Sequence, residues 1–388
     1  MPPIVQTGRD LRLDLFRGLA LWLIFVDHIP SNVVNWITIR NYGFSDAAEI
    51  FVFISGYTAA FVYGSAMQDR GFVVASARIF RRAWQVYVAH VFIFVIFMAE
   101  IYYLTKNLEN PLYSEEMRAF DFLQQPGEAL MQALMLRFQP NFMDVLPLYI
   151  VLLLVFPFTL WLLLRQPWLA LTLSAALYTA TQHFSWNLTS YPSGTWFFNP
   201  LAWQLIFVVG AWLGVGGATQ FANVLRSRLV IGLALAYLLI SLAVVMTWYF
   251  PRYVAYIPKG VQDWMYPIDK TNLDLLRFLH FMALAIVTVR FVPIDWPGLK
   301  SLWLRPMIMC GQHSLEIFCL GIFLSFLGHF ITSEISRSVE MQILISVLGI
   351  SAMIAVAWLI TWYKGIEGRG PGAGPKPRQA SDLAGGEA

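Results

Sequence analysis

Apolar residues fill this chain in runs of about 20, the length that crosses the hydrocarbon core of a bilayer as an α-helix. Ten runs stand out, over 11–30, 46–66, 83–104, 145–164, 167–184, 201–217, 229–250, 273–292, 306–330 and 343–362, the fifth and sixth being short. They predict an all-α, polytopic bundle of about ten transmembrane helices in one membrane domain, residues 1–363. The closing stretch 364–388, rich in Gly, Pro and charge, has nothing to bury and is expected to be a disordered tail. Of the intervening segments, 105–144 and 251–272 are long and rich in aromatic and acidic residues, with a short amphipathic helix expected near 127–138. No internal repeat is visible.

Composition agrees with this pattern. Of 388 residues, 58% are hydrophobic and 13% charged, against about 25% charged in a soluble domain, so an integral membrane protein is expected. With the N-terminus inside, 17 of the 26 Lys and Arg fall on the cytoplasmic side, as the positive-inside rule favours, and both termini are then cytoplasmic. The N-terminus lacks the basic region, uninterrupted apolar core and cleavage site of a signal peptide, so the first helix reads as retained. Cys310 and Cys319 lie about 13 Å apart along one helix and cannot bridge each other.

Against this background the ionisable residues inside the spans are costly, at about 3 kcal/mol or more near the middle of the bilayer. The first span, "DLFRGLALWLIFVDHIP", carries Asp14, Arg17, Asp27 and His28. Eleven steps of 100° return Arg17 and His28 to nearly one face, about 16 Å apart along the axis. A His beside Asp27 at a helix end is neutral and orientable, as a general base requires. Alternatively, Arg17 and Asp14 snorkel to the interface and His28 simply caps the other end. "DAAEIFVFISGY" places Glu49 near the depth of His28, where it could orient the imidazole or simply be solvated. Ser55, Gly56 and Tyr57 interrupt the apolar run, and Gly56 allows close helix approach. "ARIFRRAW" sets Arg78 and Arg82 four residues apart with Arg81 between, a fork able to grip phosphates or merely a topology signal. His313 and Glu316 share a helix face in the ninth span, and Lys270 and Arg277 are the external cations nearest an anionic group. The external aromatics Trp36, Trp186, Tyr191, Trp196, Trp264 and Tyr266 read chiefly as an interfacial belt.

Arg17 with His28, "FVFISGY", Arg78 with Arg82, and "GQHSLEIF" together resemble the membrane-bound acyltransferase-3 superfamily. "LDLFRGLALWLIFVDHIP", "AAEIFVFISGYTAAFVYG" and "DKTNLDLLRFLHFMALA" are most similar to its OpgC branch, over about residues 11–360. The resemblance implies a bacterial inner-membrane enzyme that succinylates osmoregulated periplasmic glucans from cytoplasmic succinyl-CoA. Where many relatives carry a late His, Gly321 stands here, so that residue's role does not transfer.

On that basis His28 is the expected base, with Asp27 or Glu49 to orient it. Arg17, Arg78, Arg81, Arg82, Ser55 and Tyr57 are expected to hold acyl-CoA. Arg277, Lys270, Glu316, His313 and Trp196 are the candidates for the acyl group and the glucan, with Arg277 ahead of Lys270 for the succinyl carboxylate. Direct transfer is the simpler expectation, because no Ser or Cys neighbours His28 in sequence. No metal, no permanently bound cofactor and no nucleic acid is expected; acyl-CoA, a glucan and the bilayer are the expected partners. Another acyl group or acceptor polysaccharide, or a proton- or anion-coupled transporter, are the alternatives.

Overall fold

The structure, a computed structural model, describes residues 10–108, 120–220, 222–225 and 227–367. Arg9, Arg226, part of the segment 105–144 and the expected tail from residue 368 lie outside the described residues. Within them the chain is helical, and its only β-type pairing is an isolated bridge between Thr189 and Thr195.

The principal helices are α1 (Leu11–Asp27), α2 (Ala47–Leu108), α3 (Pro126–Leu134), α4 (Val145–Arg165), α5 (Pro167–Phe184), α6 (Pro200–Trp212), α7 (Arg228–Tyr249), α8 (Leu275–Phe291), α9 (Arg305–Gln312), α10 (Ser314–Glu334) and α11 (Val339–Glu367). Among the described residues six helices are long and apolar enough to cross a membrane: α2, α4, α7, α10, α11, and α6 with its extension to Gln220. The chain is thus a helical membrane protein. The helix α2 is broken at Gly71, whose φ of 83° and ψ of 172° lie outside the helical range and suit a residue without Cβ. Each half exceeds the roughly 20 residues a crossing needs. The amphipathic helix expected near 127–138 is α3, which buries Ala129 and Ala133 and exposes Leu130, Met131 and Leu134.

Packing follows from small residues. Helix α1 touches α2, α9, α10 and α11. A Cβ on Gly18 would sit 1.9 Å from the Met307 carbonyl oxygen, and one on Gly311 1.8 Å from that of Asp14. Backbone therefore lies on backbone where α1 crosses α9, a contact only paired glycines allow. The same crossing bears on the run expected as one helix over 306–330. That run is two helices, α9 and α10, separated at His313, whose φ of −112° and ψ of 43° are not helical. Helix α6 is interior, 67% of its membrane window being buried, whereas α7, at 22%, lies on the rim.

Candidate active site

Helix α1 stops where Pro30 forbids another turn. Asp27 is its last residue, and His28 caps it, donating its backbone N–H to the Ile24 carbonyl at 3.0 Å. The imidazole lines a cavity of about 500 Å³ between the end of α1, the start of α2 and the loops around Asn141 and Lys270. Phe142 packs edge-on against its ring at 4.6 Å between centroids. His28 Nδ1 is buried and has no hydrogen-bond partner among the described residues. Such an orphan in a native interior calls for an explanation, and a waiting proton acceptor is one.

A chain of ion pairs closes one wall. Lys270 Nζ lies 2.7 Å from Asp46 Oδ2, Arg277 Nη2 lies 3.1 Å from the same oxygen, and Arg277 Nη2 lies 2.7 Å from Glu49 Oε1. Asp46 also caps α2, its Oδ1 accepting from Ala48 N–H, while Glu49 Oε2 accepts from Asp46 N–H. This reciprocal arrangement is the capping box of a D-x-x-E start. Burial penalises charge on Asp46, but the Lys270 ammonium and Arg277 guanidinium outweigh it and hold the carboxyl below its ordinary range.

These contacts bear on several expectations. Glu49 is fully buried against Arg277 and makes no hydrogen bond to His28, so it does not orient the imidazole. Asp27 lines the cavity with His28, yet its Oδ1 faces Thr38 Oγ1 at 2.8 Å and Arg40 Nη1 at 3.9 Å, with no bond to the ring. Arg277 is locked between two carboxylates. Lys270 faces the cavity with a third of its side chain exposed and lies over the Phe198 ring at 5.4 Å. Trp196 is buried in its loop and does not line the cavity; its neighbours Phe197 and Phe198 do.

Arg17 belongs to a second cavity of about 190 Å³, toward the opposite end of α1. Its Nη2 donates to Thr58 Oγ1 at 2.6 Å and to the Ile54 carbonyl at 3.2 Å. Ser55 and Arg82 line this cavity with it, as do Thr58, Tyr63 and Ser314, which sequence reasoning missed. Tyr57 does not. It points into a different groove with Asp10 and Arg12, because it stands two residues, about 200° of helix, from Ser55. Arg78 and Arg81 are exposed on α2 outside the cavity lining, so the expected fork reduces there to Arg82. His313 and Glu316 sit at the Arg17 end, where His313 Nε2 meets Thr361 Oγ1 at 2.9 Å and Lys364 Nζ lies 3.9 Å from Glu316. Neither lines the His28 cavity.

The two cavities share walls without merging. On α2 their linings are Ala48 and Phe51, three residues or about 4.5 Å apart, and on α4 the adjacent Val145 and Leu146. Phe51 meets Phe318 at 5.8 Å between ring centroids, both lining the Arg17 cavity.

A family model described as "OpgC protein" matches residues 9–365. The chain belongs to the OpgC family. No curated protein and no solved structure matches it. Membership implies an acyltransferase.

Proposed function

We propose that this protein moves a succinyl group from cytoplasmic succinyl-CoA to hydroxyls of a periplasmic glucan, across a bacterial inner membrane. Ten crossings, with α2 counted twice, put both termini and the Arg17 cavity in the cytoplasm and the His28 cavity outside. Arg17 and Arg82 hold the donor's anionic end, with Arg78 and Arg81 left outside the cavity. The pantetheine arm, about 15–20 Å long, matches the roughly 16 Å of helix between Arg17 and His28. His28 takes the proton of a sugar hydroxyl as its oxygen attacks the acyl carbonyl. Lys270 receives the succinyl carboxylate in place of Arg277, since Arg277 is already satisfied by Glu49 and Asp46.

The observation that carries this reading is His28 itself, which lines a cavity that also presents Lys270 and Arg40 and whose buried Nδ1 has no hydrogen-bond partner among the described residues. The test uses purified protein with succinyl-CoA and glucan, following CoA release and the mass of the glucan. Release of CoA with one succinyl increment per transfer is expected, and His28→Ala should lower it about 100-fold or more while the protein stays folded. Full activity in that variant removes the base. Solute movement without CoA release would favour a transporter.

A further inference from the structure

Sequence neighbours give His28 no nucleophile, but the fold brings one to the same cavity. Ser45, just ahead of the α2 cap, lines the His28 cavity, and its Oγ lies 2.7 Å from His280 Nδ1 on α8. The backbone N–H of Ser45 lies 3.3 Å from the same nitrogen. That second contact settles the proton on the ring, because a backbone N–H can only donate. Nδ1 is therefore the acceptor, the neutral imidazole carries its proton on Nε2, and the Ser45 hydroxyl is free to donate to Nδ1. A serine hydroxyl held on the lone pair of an imidazole is the arrangement that activates serine for acyl transfer.

The surroundings fix this pair. His280 is wedged beside Phe44 at 5.9 Å between rings and against Gly43, where a Cβ would come within 2.0 Å of Nε2. Lys270 and Arg277 line the cavity with Ser45 but are committed, Lys270 to the succinyl carboxylate and Arg277 to Asp46 and Glu49. Helix α2 begins two residues later, so the positive end of its dipole lies near a developing oxyanion. Pinning α2 to α8 does not require Ser45 and His280, because Arg277, one turn earlier on α8, already ties α2 through Asp46 and Glu49.

We propose that Ser45 is the acyl-accepting nucleophile and His280 its base, so that transfer passes through a succinyl-Ser45 ester; this rests on the acyltransferase reading above. In the first step Ser45 Oγ bonds to the thioester carbonyl carbon, the C–S bond breaks, CoA leaves as the thiolate, and His280 holds the serine proton. In the second a glucan oxygen bonds to the ester carbon and the C–Oγ bond breaks. His280 returns its proton to Oγ, and His28 takes the hydroxyl proton and passes it to water. His280 thus serves both halves of the reaction, as base and then as acid, and His28 only the second.

The experiment is intact-protein mass and peptide mapping of the full chain incubated with succinyl-CoA and no glucan. One succinyl group on Ser45 is expected, with one equivalent of CoA released. In His28→Ala the ester should persist after glucan is added, since only the second half needs that residue. Ser45→Ala should lose both the adduct and about 100-fold or more of the transfer rate, and His280→Gln should slow adduct formation similarly while leaving the fold intact. Wild-type turnover with no adduct in His28→Ala, or undiminished transfer by Ser45→Ala, overturns the proposal in favour of direct transfer. The His28→Ala readout leaves Ser45 in place, so it does not depend on a serine variant folding. Should wild-type protein release no CoA from either succinyl-CoA or acetyl-CoA, the acyltransferase reading itself falls, a result distinct from turnover without an adduct.

Discussion

Replacing Glu49 and Arg277 singly and together measures whether the guanidinium is a brace or a substrate ligand. Glu49 has no exposed side-chain surface, Arg277 has a tenth, and the carboxylate receives Arg277 Nη2 at 2.7 Å and Nε at 2.9 Å. Removing one member of such a buried pair costs about 3–5 kcal/mol, mostly because the survivor stays buried and charged. Arg277→Met leaves Glu49 with only the Asp46 N–H and should fall at the upper end. Glu49→Ala leaves Arg277 with Asp46 at 3.1 Å and should fall near 3 kcal/mol, to which loss of the capping box adds about 1 kcal/mol. The double variant buries neither charge, so its loss should be smaller than the sum of the singles by about 2 kcal/mol or more. Reversible unfolding in mixed micelles, followed by tryptophan fluorescence, gives these free energies. Additive single losses would refute the pairing argument. An Arg277→Met protein as stable as the parent yet inactive would make Arg277 a substrate ligand.

Two further substitutions probe the frame and the donor end. Gly18→Val drives a branched side chain into the Met307 carbonyl, so it should destabilise by about 3 kcal/mol, the upper end for overpacking, because backbone cannot step aside as a side chain can; thermal unfolding in detergent checks it. Arg82→Ala should raise the KM for succinyl-CoA about 10-fold or more, the worth of one charge-assisted hydrogen bond, whereas Arg81→Ala, outside the cavity, should leave it nearly unchanged. Equal effects of the two in steady-state kinetics would mean that the cavity does not select its cation.

Much of the frame was legible because membrane helices announce themselves locally, through runs of apolar residues whose length is set by the bilayer. The break at His313 was not legible, since the run across it stays apolar and only the backbone crossing of Gly18 and Gly311 marks the place. At the site, two errors were avoidable. The spacing of Asp46 and Glu49 is a capping box, and the two residues from Ser55 to Tyr57 put the tyrosine on another face. What no local pattern contains is partnership over distance. Glu49 was offered to His28 because both lie near one depth, but depth is a single coordinate; Arg277, 228 residues away, takes the carboxylate. Ser45 and His280, 235 residues apart, met no sequence rule at all.

The partition between the cavities bears on how a thioester is to pass. A continuous polar passage through a bilayer protein would conduct ions, and each elementary charge crossing 100 mV releases about 2.3 kcal/mol, a standing drain on the cell. An enzyme that works across a membrane therefore needs its path shut when no donor fills it. Here the two linings come within about 4.5 Å of each other on α2, and Phe51 and Phe318, ring against ring, line the Arg17 side. Rotamer changes cost far less than helix displacement, so donor contacts made only with the open form suffice to open it. The protein reconstituted in liposomes without acyl-CoA should then hold a pH gradient as protein-free liposomes do. A leak in that state would mean that the partition does not seal, and the donor path would need another closure than these two rings.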